Sequence, residues 1–213
     1  MEFLELLQTG RPVLLDGGMG TMLQAKGLPV GATPELTALE HPEWLLDIHR
    51  AYVEAGAQIL YANTFGANRE KLSHCGKTVE EIVPAAVALA KEAAQGRALV
   101  ALDIGPTGQL LEPTGILDFE TAVDIFAQVV KAGAAAGADL IVIETMTDLQ
   151  EARAALLAAK ENSSLPVLVT MTYEATGRTF LGCSPAAAAL TLEGMGADAI
   201  GVNCSLGPRE MPP

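Results

Sequence analysis

The stretch DAIGVNCSLGP, Asp198 to Pro208, decides how the chain is read. Ala199-Ile200-Gly201-Val202 makes a short buried strand that stops at Asn203 and Cys204 and runs into a Gly207-Pro208 loop. Just before it, Met195-Gly196-Ala197-Asp198 carries a glycine of the kind that ends a helix in the left-handed conformation. The unit is therefore helix, glycine, strand, polar strand end. It recurs at Glu54-Ala55-Gly56-Ala57, which leads into Gln58 to Ala62 and ends at Asn63-Thr64. It recurs again at Ala136-Gly137-Ala138-Asp139, which leads into Leu140 to Ile143 and ends at Glu144.

The same alternation fills the rest of the chain. Apolar runs at Pro12 to Asp16, Ala98 to Leu102 and Pro166 to Met171 read as further strands. Helical periodicity predicts helices over Pro42 to Ala55, Val79 to Ala94, Phe119 to Ala136 with Asp118 as N-cap, Leu149 to Lys160, and Ser184-Pro185 to Met195. Strands that are apolar throughout are buried on both faces, which implies a parallel sheet. A doubly wound sheet and a (β/α)₈ TIM barrel both fit. The polar strand ends Asp16, Asn63, Asp103, Glu144, Thr172 and Asn203-Cys204 favour the barrel, where such ends converge on one face. About six βα units are present, about two short of a closed barrel. The expectation is a single barrel domain over residues 1–213, incomplete at its C-terminus.

Half of the residues are hydrophobic and 18% are charged, which suits a globular protein with a sizeable core. The formal charge of −13 argues against nucleic acid as a partner, since that binding rests on Lys and Arg neutralising phosphates. No apolar run reaches the roughly 18 residues of a membrane span, and MEFLELLQTGRP lacks the basic start of a signal peptide. Three irregularly spaced cysteines make no disulfide framework. A reducing, cytoplasmic setting is expected.

Three strand ends carry candidate chemistry. Asp16-Gly17-Gly18-Met19-Gly20-Thr21 lacks the Lys-Ser/Thr of a P-loop and the full dinucleotide spacing. Its glycines suit either a tight turn or close approach of backbone N–H groups to a small carboxylate. Glu144 ends a run of four aliphatics, so it needs a structural ion pair, a capping role or a ligand cation. Asp103 precedes Gly105-Pro106-Thr107-Gly108 and reads as a brace for that turn. Cys204 reads as a small buried hydrophobe, a nucleophile or a metal ligand. Cys75 lies beside a helix, and Cys183, ahead of the Ser184-Pro185 helix start, would face the same mouth as Cys204. His41, His49 and His74 sit in or near predicted helices, away from the strand ends.

The runs LLDGGMGT, YANTFGAN, DIGPTG, ETMTDLQEAR, VTMTYE and GVNCSLGP, in this order, resemble the homocysteine S-methyltransferase family. The likeness is greatest to the homocysteine-binding module of its cobalamin-dependent, methionine-forming members. It covers almost the whole chain. It implies a (β/α)₈ barrel and methyl transfer to the thiol of homocysteine, giving methionine. It also implies zinc held by three cysteines: Cys204 would be the first, and a Gly-Gly-Cys-Cys-type motif absent from these 213 residues would supply the others. Asp16, Gly17, Gly18, Glu144 and Asn203 would bind the substrate. Methylcobalamin, and ultimately methyltetrahydrofolate, would come from cobalamin- and folate-binding modules of the same polypeptide. With one ligand of three, the 213-residue chain alone is expected to be inactive. Its apolar edges around Leu14 and Ile200 are expected to pair with a second copy or with a companion segment. The rival readings are a betaine- or S-methylmethionine-dependent member, a non-catalytic amino-acid-binding barrel, and a phosphate-binding aldolase or isomerase, for which no lysine stands at a strand end.

Overall fold

The computed structural model describes residues 2–207. Five parallel strands form one sheet in sequence order: β1 (Ile59–Tyr61), β2 (Leu99–Ile104), β3 (Leu140–Met146), β4 (Val167–Met171) and β5 (Ala199–Val202). Their outer face carries α4 (Pro42–Glu54), α6 (Val79–Ala94), α7 (Phe119–Ala135), α8 (Leu149–Asn162) and α9 (Pro185–Gly194). Strand residues Leu60, Val100, Leu102, Ile141, Ile143, Val167 and Val169 pack there in one core with Ile82, Val87, Phe126, Val130 and Leu156 of the helices. Alternate strand residues, Ile59, Ala101, Leu140 and Val142, form a second, smaller cluster on the inner face, as a period of two requires. This is barrel architecture, with one face of the sheet turned to helices and the other to its own interior.

Local sequence accounts for the main boundaries. Asp118, Ser184 and Thr78 each accept a hydrogen bond from the backbone N–H three residues on. Gly56, Gly137 and Gly196 take positive φ of 98°, 89° and 88° at the three repeated helix ends. Two of those joints end in aspartate, and both aspartates do the same work. The Asp139 carboxylate accepts from Val100 N at 2.7 Å and from Lys91 at 2.6 Å; that of Asp198 accepts from Val167 N and Lys160, both at 2.8 Å. Each stitches the start of its strand to the preceding one. The ion pairs themselves are partly solvated and add little.

The sequence reading needs four corrections. Pro12 to Asp16 is not a strand: only Leu15 bridges to Ile59, because this segment has β1 on one side and no strand on the other. The strand expected to stop at Glu144 runs on to Met146 through a register shift between Ile143 and Met146. β2 likewise runs two residues past Leu102. Short helices were not anticipated: α1 (Phe3–Gln8), α2 (Met19–Lys26), α3 (Thr37–Glu40), which follows a 3₁₀ turn at Pro34–Leu36, and α5 (Arg69–Leu72). α1 matters to the fold, since Phe3 packs into the inner-face cluster. The expected open edges are present: Leu14, Leu15, Ile200 and Val202 are 56%, 42%, 38% and 43% exposed. Pro208 lies outside the described residues. Among those residues no helix is long and apolar enough to cross a membrane.

Phe126 is the largest fully buried side chain of the helix-to-sheet core. Phe126→Ala is expected to destabilise the fold by about 3–5 kcal/mol, measured by urea denaturation against wild type. A loss under 1 kcal/mol would show that the layer repacks freely.

Candidate active site

A cavity of about 400 Å³ opens at the C-terminal ends of the strands. It brings together the six residues that the resemblance assigns to substrate or zinc, Asp16, Gly17, Gly18, Glu144, Asn203 and Cys204, while the polar strand ends Asn63 and Thr172 do not line it. It adds Tyr61, Asp103 and Thr170. The pleat explains the gathering. Leu99, Ala101 and Asp103 are alternate residues of β2, as are Leu140, Val142 and Glu144 of β3 and Leu168 and Thr170 of β4. The lower members face the inner cluster, so the upper ones face the mouth. A second cavity of similar size lies at the opposite end of the strands. Its lining acids are Glu2 and Asp139, and Asp139 is already engaged by Lys91 and Val100.

Three carboxyl groups line the mouth, and among the described residues no lysine, arginine or histidine does. Asp16 Oδ2 accepts from Tyr61 N at 2.9 Å, which ties the glycine-rich loop to β1. Burial, with a smaller contribution from nearby Glu144, pushes the Asp16 carboxyl up to about 7. Asp103 is only 6% exposed, and its Oδ1 has no hydrogen-bond partner. Burial first, then the charges of Glu144, Asp16 and Glu35, hold its carboxyl well above the usual range. Burial also raises Glu144. The phenol of Tyr61 is pushed up by burial and then by Asp103, Glu144 and Asp16. Among the described residues the site thus lacks a balancing positive charge.

The rim supplies donors. Gly17 and Gly18 precede α2, and the N-cap Gly18 offers no side chain to the first-turn N–H groups. A Cβ on Gly17 would lie 2.8 Å from the Tyr52 hydroxyl, which itself donates to Gly18 O at 3.0 Å. Only glycine allows that approach. On the opposite side, the Asn203 amide donates to Glu144 Oε2 at 3.1 Å. The exposed thiol of Cys204, at φ 47°, lies 3.6 Å from Asn203 Nδ2.

Cys183, expected at this mouth, is not there. It packs against the main core, with its Sγ 3.4 Å from Ser184 O. The Cys75 thiol donates to Leu72 O, and His49 is wholly buried in α4, where burial depresses its imidazole to about 4. Tyr61 was missed, although its period-two spacing from Ile59 was a usable signal. Among the described residues no three His, Cys, Asp or Glu side chains group as a metal site. Cys204 is one soft, accessible donor; the described residues do not complete a zinc centre.

Comparison with known proteins agrees with this geometry. The sequence profile of the family described as homocysteine S-methyltransferase matches residues 13–213. Methionine synthase of Mycobacterium tuberculosis is 31% identical over 220 residues, covering 94% of this chain but 18% of that protein. Betaine–homocysteine S-methyltransferase 1 of Danio rerio is 32% identical over 216 residues, covering 96% of this chain and 52% of that protein. The chain thus spans about a fifth to a half of the length of these relatives. Among solved structures, the metallated homocysteine methyltransferase MmuM of Escherichia coli superposes with a TM-score of 0.85 at 21% identity, over 98% of this chain and 80% of that one. That likeness shows the fold.

The raised carboxyls fix the sign of a pH effect. Asp16 and Asp103 bind protons in the folded state that the unfolded chain releases above about pH 4, so stability falls as pH rises from there to their folded values, about 7 for Asp16, and levels off above them. Depressed His49 acts oppositely, but only below about 6.5, where the unfolded imidazole charges. Above about pH 6.5 the His49 contribution has ended, and the remaining fall is expected to be up to about 1.4 kcal/mol per pH unit for each carboxyl that still holds its proton. Asp103→Asn should flatten the profile and stabilise at pH 8. A profile already flat in wild type would show that these groups ionise freely.

Proposed function

The chain belongs to the homocysteine S-methyltransferase family, and from that premise we propose that it binds homocysteine in this cavity for methyl transfer to the sulfur, giving methionine. The observation that carries the reading is the mouth lined, among the described residues, by three carboxyls and no basic group, beside an exposed thiol. The substrate's ammonium would sit between Asp16 and Glu144, where a cation relieves the burial of two carboxyls. Its carboxylate would meet the N–H groups after Gly17 and Gly18. Its sulfur would then reach toward Cys204. The ammonium favours ionised carboxylates, so binding at neutral pH releases protons from the site.

Cys204 would serve as one zinc ligand, its companions lying outside the described residues. Zinc, when bound, supplies the acidity that makes an ordinary thiol, pKa about 8.5, a thiolate at neutral pH. This chain's own part is to orient homocysteine by both ends of its amino-acid group. In this reading the donor is methylcobalamin, recharged from methyltetrahydrofolate by further modules of the same polypeptide, in the cytoplasm. The 31% identity to methionine synthase of Mycobacterium tuberculosis supports it. Similar identity to a betaine-dependent enzyme makes betaine, or S-methylmethionine, the second reading. Assay with each donor separates them.

In the whole enzyme, Cys204→Ser replaces a thiolate by a hydroxyl that stays protonated. Zinc content and methyl transfer are both expected to collapse while the circular dichroism spectrum holds. Glu144→Gln should weaken homocysteine binding by about tenfold or more, the loss of a charge-assisted bond, with zinc retained. Near-normal activity with zinc present in Cys204→Ser would remove the ligand assignment. The 213-residue polypeptide alone should be inactive and should associate through the edges at Leu14 and Ile200; a monodisperse monomer in light scattering would refute that association.

A further inference from the structure

We infer that Asn203 is a positioning residue: its side chain pins the bulged end of β3 so that Glu144 faces the cavity, and it does not itself bind the substrate. The hydrogen bonds fill the amide. Oδ1 accepts from Thr145 N at 2.9 Å and from Thr170 Oγ1 at 2.9 Å. Nδ2 donates to Thr145 Oγ1 at 2.8 Å and to Glu144 Oε2 at 3.1 Å. Two N–H groups and two lone pairs are the whole capacity of an amide, and all are used within the protein. Glu144 and Met146 are two residues apart, which in an unbroken strand puts them on one face. Here Glu144 lines the cavity while Met146 is buried in the helix-side core. The register shift between Ile143 and Met146 achieves the switch, as a bulge does. Its cost falls on Thr145, a β-branched residue held at φ 61°. Asn203 grips that residue by both its N–H and its hydroxyl.

The claim that this positions a substrate contact rests on the homocysteine reading above; the pinning of β3 does not. A double-mutant cycle on the full-length protein tests the first part, with homocysteine binding read by calorimetry. Asn203→Ala should weaken binding by about tenfold, yet add nothing in a Glu144→Gln background. Multiplying losses would mean that Asn203 touches the ligand directly and would overturn the inference. Asn203→Asp keeps the acceptor for Thr145 N and Thr170 Oγ1 but sets a second carboxylate against Glu144. It is the variant to use should Asn203→Ala fail to fold, and its loss of binding should likewise vanish with Glu144→Gln. The second part needs no ligand. Asn203→Ala, or Asn203→Asp in its place, should lower the urea midpoint, and adding Thr145→Gly should restore part of the loss, because glycine takes positive φ unaided. No recovery would refute the pinning. Recovery in a protein that fails to bind homocysteine would remove the functional reading and leave the pinning standing.

Discussion

The site depends on one constraint: the inner faces of neighbouring strands stay in phase. β2 pairs with β3 so that Asp103 lies opposite Val142, and β3 with β4 so that Val142 lies opposite Leu168. With a side-chain period of two, this register sends apolar residues to the barrel floor and polar ones to its mouth. A slip of one residue would exchange the faces. Asp103 and Glu144 would then stand against the helices, and Leu102 and Ile143 against the cavity. The large helix-side cluster makes that slip prohibitive. The burial that stabilises the fold is therefore also what aims the carboxyls.

Aiming them has a cost. An ionised carboxylate removed from water and left unpaired is among the most unfavourable features a fold can hold. Asp103 has an orphaned oxygen, and Asp16 holds its proton up to about neutral pH. Lysines that pack against the sheet are directed elsewhere. Lys91 and Lys160 stitch strand starts at the opposite end of the sheet. Lys71, whose ammonium is itself disfavoured by burial, lies over the Phe65 ring. Such frustration is expected where a ligand, and not the protein, supplies the missing charge.

Much of this was legible beforehand, for reasons tied to particular residues. Gly56, Gly137 and Gly196 announce helix ends because the left-handed conformation they adopt is open to few other residues. Asp118 and Ser184 announce helix starts because their side chains outcompete water for the first N–H groups. The six site residues converge because a parallel sheet allows strand ends no other arrangement. What stayed hidden is what local pattern does not encode. Leu14 and Leu15 look like strand residues, yet a strand needs partners. α1 is six residues long, too short to show a period, and is held by Phe3 packing on the sheet. The bulge at Thr145 runs against propensity outright, since threonine avoids positive φ; it exists because Asn203, distant in sequence, holds it.

Thr145 and Cys204 are both non-glycine residues at positive φ, and both lie against Asn203. Strain of this kind persists only where the surroundings over-determine the backbone, and here the surroundings are a saturated amide. With that amide occupied, Asp16, Asp103 and Glu144 are the charged groups that line the mouth among the described residues. A ligand must therefore bring donors and positive charge to this side, and can place an anionic group only at the glycine-rich rim. A phosphate ester, dianionic at neutral pH and far larger than a carboxylate, would meet three carboxyl groups and, among the described residues, no cation across the cavity. An α-amino acid carries its two charges close together and of the required signs. On the described residues, the electrostatics thus disfavour the aldolase or isomerase reading on grounds independent of the missing strand-end lysine.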